Sequence, residues 1–255
     1  MEIYNIENDW EFGVLDIYDF RTNNGSLRFF FEFIKKYHDE IDGDIVEAGV
    51  FRGKSLLAIA LMLKEIGSEK KIYGFDSFSG FPPIYHENDE FKKFKVLMNK
   101  NRISRSHYKD AVRSKEIREM ILDDSANAES LSSSLDFSST SKNIIENKLK
   151  YLGLDNVFLV DGEFSKTMNK SFLRDKKIMC ALMDCDLYES YKTAFSFIWP
   201  KLSRNGIIYL DEYYSLKFPG ARIATDEFCQ DNKNAEMFQH PSLEKEFERW
   251  SLVKK

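Results

Sequence analysis

The chain has 255 residues, 42 acidic against 37 basic side chains, a formal charge of −5 and 43% hydrophobic residues, enough for one substantial core in a single domain. The mild acidity, with no basic stripe interleaved with aromatics, argues against nucleic acid as a partner; no apolar run is long enough to span a membrane, and MEIYNIENDWEF is acidic where an export signal would be basic and then apolar. The cysteines Cys180, Cys185 and Cys229 are odd in number and far apart, which excludes a disulfide framework or a cysteine zinc site and suits reduced thiols in the cytoplasm.

Residues 1–42 precede the first strand expected and read as a helical cover. Within them SLRFFFEFIKKYH, Ser26 to His38, spaces Leu27, Phe29, Phe30, Phe33 and Ile34 as one face of an amphipathic helix. The stretch Tyr18 to Asn24 is placed to reach over a ligand pocket. The next stretch, Asp42 to Phe78, organises the chain. Ile45 and Val46 form a short strand leading to Glu47-Ala48-Gly49, Gly53 follows, and Leu56 to Leu63 is helical up to Gly67. A second strand, Ile72 to Phe75, closes on Asp76. Strand, glycine turn, helix, strand and acid is the layout of a nucleotide-binding half of a parallel sheet.

This turn lacks the third glycine of the dinucleotide pattern G-x-G-x-x-G and carries Phe51 and Arg52 inside it. Glu47, just before the first glycine, repels phosphates and suits an ammonium or sulfonium group, which points to S-adenosylmethionine (SAM), a phosphate-free nucleoside. Asp76 is placed to accept from two ribose hydroxyls. An ordinary βαβ unit with a glycine in its turn fits the same residues.

After Asp76, SFSGFPP is a loop. Residues 84–135 break the alternation and read as an insertion over the sheet's carboxyl edge, a lid or a plain mobile loop, with helical patterns at Glu90–Asn101 and Asp110–Leu122. Alternation then resumes. Ser141 caps a helix that Gly153 ends, and Asn156–Val160 is a strand closed by Asp161-Gly162. Lys177–Met183 is a buried central strand, Ser190–Trp199 a helix, Gly206–Leu210 a strand and Ala221–Cys229 a helix. Phe247–Val253 reads as a late strand, antiparallel at an edge. The fold class is therefore α/β, a Rossmann-like sheet, mostly parallel, with helical additions.

Ligands of such a sheet sit at the carboxyl ends of its strands. Two strands end in acids there: Asp184-Cys-Asp186 and Asp211-Glu212. Asp184 and Asp186 share a side by the period of two. Four carboxylates at one mouth repel one another unless a divalent cation neutralises them, and an oxygen set of this kind suits magnesium. Solvated loop acids are the alternative. The histidines His38, His86, His107 and His240 are scattered and support no triad. Arg222 either holds an anionic or hydroxylated substrate or pairs with Asp226 one helical turn away.

Taken together, Gly43-Asp44-Ile-Val-Glu47-Ala-Gly49-Val-Phe-Arg52-Gly53, Phe75-Asp76-Ser77-Phe78-x-Gly80-x-Pro82, Asp184-x-Asp186-Leu-Tyr188-Glu-Ser190, Pro200-Lys-Leu-x-x-x-Gly206 and Asp211-Glu212-Tyr213 resemble the macrocin O-methyltransferase family. Its members are SAM- and magnesium-dependent class I enzymes that methylate sugar hydroxyls of antibiotics. The resemblance spans about Ser26 to Phe228 and fades through the insertion and the C-terminus. It implies that Glu47, Gly49, Arg52, Gly53 and Ser55 line the methionine side of the SAM pocket and that Asp76 and Ser77 meet the ribose. Asp136, Phe137, Asp161 and Gly162 would lie near the adenine. It further implies Asp184, Asp211 and Glu212 as metal ligands and Asp186 as general base. Glu212 departs from the family's usual aspartate, so metal geometry is open to shift. A sugar or other small-molecule acceptor and a homodimer are the implied partners. A catechol-like acceptor and a catalytically silent partner subunit are the competing readings.

Overall fold

The computed structural model describes residues 6–22, 25–169, 171–242 and 246–255. Its strands are β1 Asp44–Ala48, β2 Ile72–Asp76, β3 Val157–Asp161, β4 Ile178–Met183, β5 Leu202–Leu210, β6 Ala235–Gln239 and β7 Trp250–Lys254. They form one sheet in the order β3-β2-β1-β4-β5-β7-β6. The strands β1 to β5 are parallel, and β7 runs antiparallel to both β5 and β6. The chain moves outward from β1 through β2 to β3, then crosses to β4 on the other side. That reversal opens a crevice at the carboxyl ends of β1 and β4, where ligands of open α/β sheets bind.

Alternation along each strand divides the core in two. Ile45, Cys180, Leu182, Ile207 and Tyr209 face one layer, built on α2 (Arg28–Tyr37), α3 (Lys54–Glu65) and α6 (Lys142–Leu152). Val46, Ala181, Met183, Ile208 and Leu210 face the other, which includes α8 (Tyr188–Ile198) and α9 (Pro219–Asp231). The central strand β4 is buried at all of its positions, which is why KIMCALM reads as an unbroken apolar run.

The late strand differs from expectation: β7 lies second from the edge, because β6 adds outside it. The sequence AEMFQ alternates between half-buried and exposed positions, so it has no continuous apolar signal. Further helices lie at α1 (Asp9–Leu15), α4 (Lys93–Asn99), α5 (Arg105–Leu122) and α7 (Phe164–Thr167). Helix α5 starts five residues before the expected Asp110, where the Ser104 hydroxyl accepts from the His107 amide at 3.0 Å. The insertion carries its own small core of Phe94, Leu97, Ile103 and Ala111, packed against Leu216 and Ile223. It therefore rests on the segment that follows β5. Among the described residues no helix is long and apolar enough to cross a membrane.

Candidate active site

The turn from β1 into α3 wraps the carboxyl end of β2. Asp76 Oδ2 accepts from the amides of Val50 at 2.7 Å and Phe51 at 2.8 Å, and Oδ1 accepts from the Phe78 amide at 2.7 Å. A carboxylate offers about four lone-pair sites, so roughly one remains for a ligand. Asp76, expected to meet the ribose hydroxyls, thus also shapes the turn. Gly49 adopts φ +91°, and a Cβ there would collide with the Asp184 carbonyl. Its lack of a side chain thus admits the β4 loop rather than a ligand. Gly53, at φ +78°, begins α3 beneath Ile145.

Glu47 is fully buried on β1. Its Oε1 accepts from the Ser55 hydroxyl at 2.6 Å, while Oε2 is buried with no partner. Burial, with Asp184 and Asp76 nearby, pushes its carboxyl well above the ordinary range despite Ser55. An unpartnered buried acceptor beside the β1 turn fits a cationic ligand group and leaves a phosphate no reason to bind.

The segment expected near the adenine closes over the same turn. Arg52 donates through Nε to the Ser139 carbonyl at 2.9 Å and through Nη2 to its hydroxyl at 2.8 Å, and the Thr140 hydroxyl donates to the Phe51 carbonyl. Phe137 packs edge-on against Phe51 at 5.2 Å and tilts on Phe81 at 4.9 Å. Asp136 binds the Ser138 amide and hydroxyl, which hold its carboxyl low. Ser77 donates to the Gly80 carbonyl at 2.9 Å. Asp161 pairs with Lys142 at 3.5 Å, and the Gly162 amide donates to the Asp76 carbonyl at 2.9 Å. All of these residues therefore ring the carboxyl ends of β1, β2 and β3.

Across the crevice, ligand atoms of Asp184, Asp186 and Glu212 lie within 4.8 Å of one another. The expectation gave Asp184, Asp211 and Glu212 to the metal and Asp186 to the base; the trio that the structure gathers is Asp184, Asp186 and Glu212. Asp211 and Glu212 are consecutive where β5 ends, so their side chains diverge. Asp211 turns to Arg249 at 3.6 Å, and Glu212 turns inward to the Tyr191 hydroxyl at 2.9 Å. Asp186 sits in the left-handed region at φ +57°, which an aspartate tolerates better than most residues. Burial raises the carboxyls of Asp184 and Glu212 well above the ordinary range, with the neighbouring acids adding to it, and a hydrogen bond joins the two. Burial pushes Asp186 up to about 7, with Lys217 opposing. Three converging carboxylates are an oxygen donor set of the kind that holds a hard divalent cation.

Several contributors lay beyond sequence reasoning. Tyr191 supports Glu212 and also reaches the Met183 carbonyl at 3.0 Å; its place one turn into the helix after the acids was a usable signal. Asp89 accepts from the Tyr188 amide at 2.8 Å across 99 residues, which no local pattern announces. Tyr18 is pushed to about 12 by burial and by Asp184, Asp211 and Glu47. That places the start of the Tyr18–Asn24 stretch beside the acids, while Asn23 and Asn24 lie outside the described residues.

Comparisons with known proteins bear on the fold and the family. No curated protein matches the chain in sequence. The fold resembles the O-methyltransferase NovP, with TM-score 0.58 and 18% identity over 88% of this chain and 78% of that one. It resembles the calicheamicin methyltransferase CalS11 with TM-score 0.58 and 18% identity over 87% and 76%. A putative O-methyltransferase from Klebsiella pneumoniae aligns with TM-score 0.51 and 9% identity over 95% and 85%. A family profile described as a methyltransferase domain matches residues 46–213, from the middle of β1 to just past Glu212. It takes in the glycine turn, the insertion and the acidic trio alike, and the chain belongs to that methyltransferase-domain family.

Proposed function

We propose that the chain transfers a methyl group from SAM to a hydroxyl of a sugar or glycosylated small molecule, assisted by a divalent cation. The observation that carries this reading is the convergence of Asp184, Asp186 and Glu212 within 4.8 Å, across the β1–β4 crevice from Glu47 with its unpartnered Oε2. NovP is described as an O-methyltransferase, and a second CalS11 structure (TM-score 0.52, 19% identity) as a TDP-rhamnose 3'-O-methyltransferase, which favours a sugar hydroxyl as acceptor.

When bound, SAM supplies an electrophilic methyl carbon, and the cation supplies positive charge that lowers the pKa of the acceptor hydroxyl. Glu47 would take the cationic methionine end, held in place by Ser55. Asp184 and Glu212 would hold the cation, with Tyr191 fixing the Glu212 rotamer. Asp186 takes the acceptor proton, its carboxylate lying within 4.8 Å of the two acids that would hold the cation. Asp211 is assigned to Arg249 rather than to the cation. The cytoplasmic homodimer expected from the resemblance belongs to this reading, and light scattering on the purified chain tests it.

The direct experiment incubates the protein with labelled SAM, magnesium and a panel of nucleotide sugars and glycan fragments, and looks by mass spectrometry for the gain of one methyl. Asp186→Asn should lower turnover roughly 10²–10⁴-fold, the usual contribution of a general base, with SAM affinity nearly unchanged. Wild-type turnover in that variant would contradict the role given to Asp186.

A further inference from the structure

The insertion leaves a cleft of about 530 Å³ against the segment after β5. Its walls include Arg102, Arg105, His107, Tyr214, Arg222 and Glu248. Arg102 and Arg105 are exposed at the rim. Arg222 lies against the Tyr213 ring, with Cζ 4.2 Å from its centroid, and its Nη1 is 3.4 Å from the Tyr213 carbonyl. Its Nε is buried with no partner. The alternative weighed for Arg222, a pair with Asp226, does not form: Asp226 instead accepts from the Tyr213 hydroxyl at 2.9 Å. Among the described residues none of the three arginines has an ion-pair partner. Glu248, the one acid of the cleft, accepts from the Trp250 indole at 2.9 Å. His107 adds no charge: its Nε2 meets the Ser215 carbonyl at 2.7 Å, its ring stacks on Tyr214 at 4.0 Å, and burial lowers its pKa.

Three guanidinium groups around a cavity of small-molecule size, one with a buried donor left unmatched, form a site for an oxyanion. Guanidinium forks match phosphate oxygens in pairs, and a buried unpaired donor is costly until one arrives. Position matters as much as charge. Tyr214, on one wall, follows Glu212 by two residues in the turn that leaves β5, so the cleft lies on the same segment as that acid.

We propose that this cleft is the acceptor's anion subsite and holds a phosphate or diphosphate on the sugar, so that the substrate is a phosphorylated or nucleotide-linked sugar rather than a neutral one. This rests on the function proposed above and narrows it. Arg222 fixes the phosphate through its planar fork, Arg102 and Arg105 close on it from the insertion, and the sugar hydroxyl is thereby directed toward Asp186.

The test is calorimetric titration of the full-length chain with inorganic pyrophosphate in metal-free buffer, with SAM titrated into the same preparations. Wild type should bind pyrophosphate saturably. Arg222→Gln should weaken binding tenfold or more, and so should the exposed pair Arg102→Gln/Arg105→Gln, whose folding is the less exposed to the change. Arg204→Gln, at the opposite end of the sheet, should leave binding unaltered, and circular dichroism would check that each variant is folded. No saturable binding, wild-type affinity in the rim pair, or loss of binding in Arg204→Gln would each overturn the subsite. SAM binding without pyrophosphate binding removes the subsite and leaves the proposed function standing. Pyrophosphate binding without SAM binding supports the cleft and removes the proposed function.

Discussion

Glu47 is hard to explain by folding alone. Its carboxyl is wholly buried, one oxygen bonded to Ser55 and the other to nothing, where an apolar side chain would pack at no electrostatic cost. Burial above all raises its folded pKa over the unfolded value of about 4.3. Stability from this group is therefore fully present below that unfolded value and is lost as pH rises through the folded one. Glu47→Gln keeps the shape and cannot ionise. We expect it to match wild type in urea denaturation near pH 4, to exceed wild type at pH 8, and to bind SAM more weakly. A glutamine variant that is the less stable at pH 8 would show that the acid serves the fold. Glu47 stood out in the sequence because an acid directly before a glycine turn has few structural uses. The role of Asp76 was only half legible: its place at the end of β2 was plain, but the amides of Val50 and Phe51 that occupy it come from a turn 25 residues away. Asp211 and Glu212 were legible as acids at the end of β5, but which of them turns inward was not, since that is set by Arg249 and Tyr191.

Among the elements, the insertion shows how a segment with weak periodicity is fixed from outside. Asp89 accepts from the first helical amide of α8, one of the donors a helix cannot satisfy itself. The site also requires Gly220 in α9, where a Cβ would strike the Asp89 carboxylate. Asp89→Ala leaves the Tyr188 amide buried and unpaired, at a cost of about 1–3 kcal/mol. The effect should be local: faster hydrogen exchange in the first turn of α8 and faster proteolysis within residues 84–135. Unchanged cleavage there would remove Asp89 as the tether. At the other side of the molecule, His240 joins α2 to the β6–β7 end of the sheet. It stacks on Phe29 at 4.7 Å and meets the Ser251 hydroxyl at 2.8 Å, with Tyr209 and Arg28 beside it. Burial, and then Arg28, lower its pKa to about 4. The unfolded value is about 6.5, so its contribution is complete above pH 6.5 and is lost as pH falls toward 4. His240→Gln, which keeps a hydrogen-bonding end, should flatten the acid side of the stability curve between those values. Parallel curves for the two proteins would exclude His240 as the titrating group.

At the scale of the whole molecule, the parallel sheet was legible because its central strands are buried on both faces and its helices carry caps and glycine stops. The meeting of acids at one mouth was legible too, but which of them come within reach of one another was not, because it depends on which strands become neighbours. β1 lies beside β4, so Glu47 and Asp184 meet although 137 positions separate them in sequence, and β4 lies beside β5, which brings Glu212 to Asp186. The same neighbours concentrate buried carboxylates at one end of the sheet, and this makes the fold itself a reporter of the cation. A ligand that binds only the folded state stabilises it by about 2.7 kcal/mol at a hundred times its Kd. For a chain of this size each kcal/mol moves Tm by roughly 2–4 °C, so saturating magnesium should raise Tm by about 5–10 °C over chelator-treated protein. Glu212→Gln should abolish most of that rise, since an amide cannot supply the missing negative charge. Asp211→Asn should retain it, because Asp211 is spent on Arg249. Equal loss in both variants would restore Asp211 to the ligand set, and a Tm indifferent to magnesium in wild type would remove the cation from the site altogether.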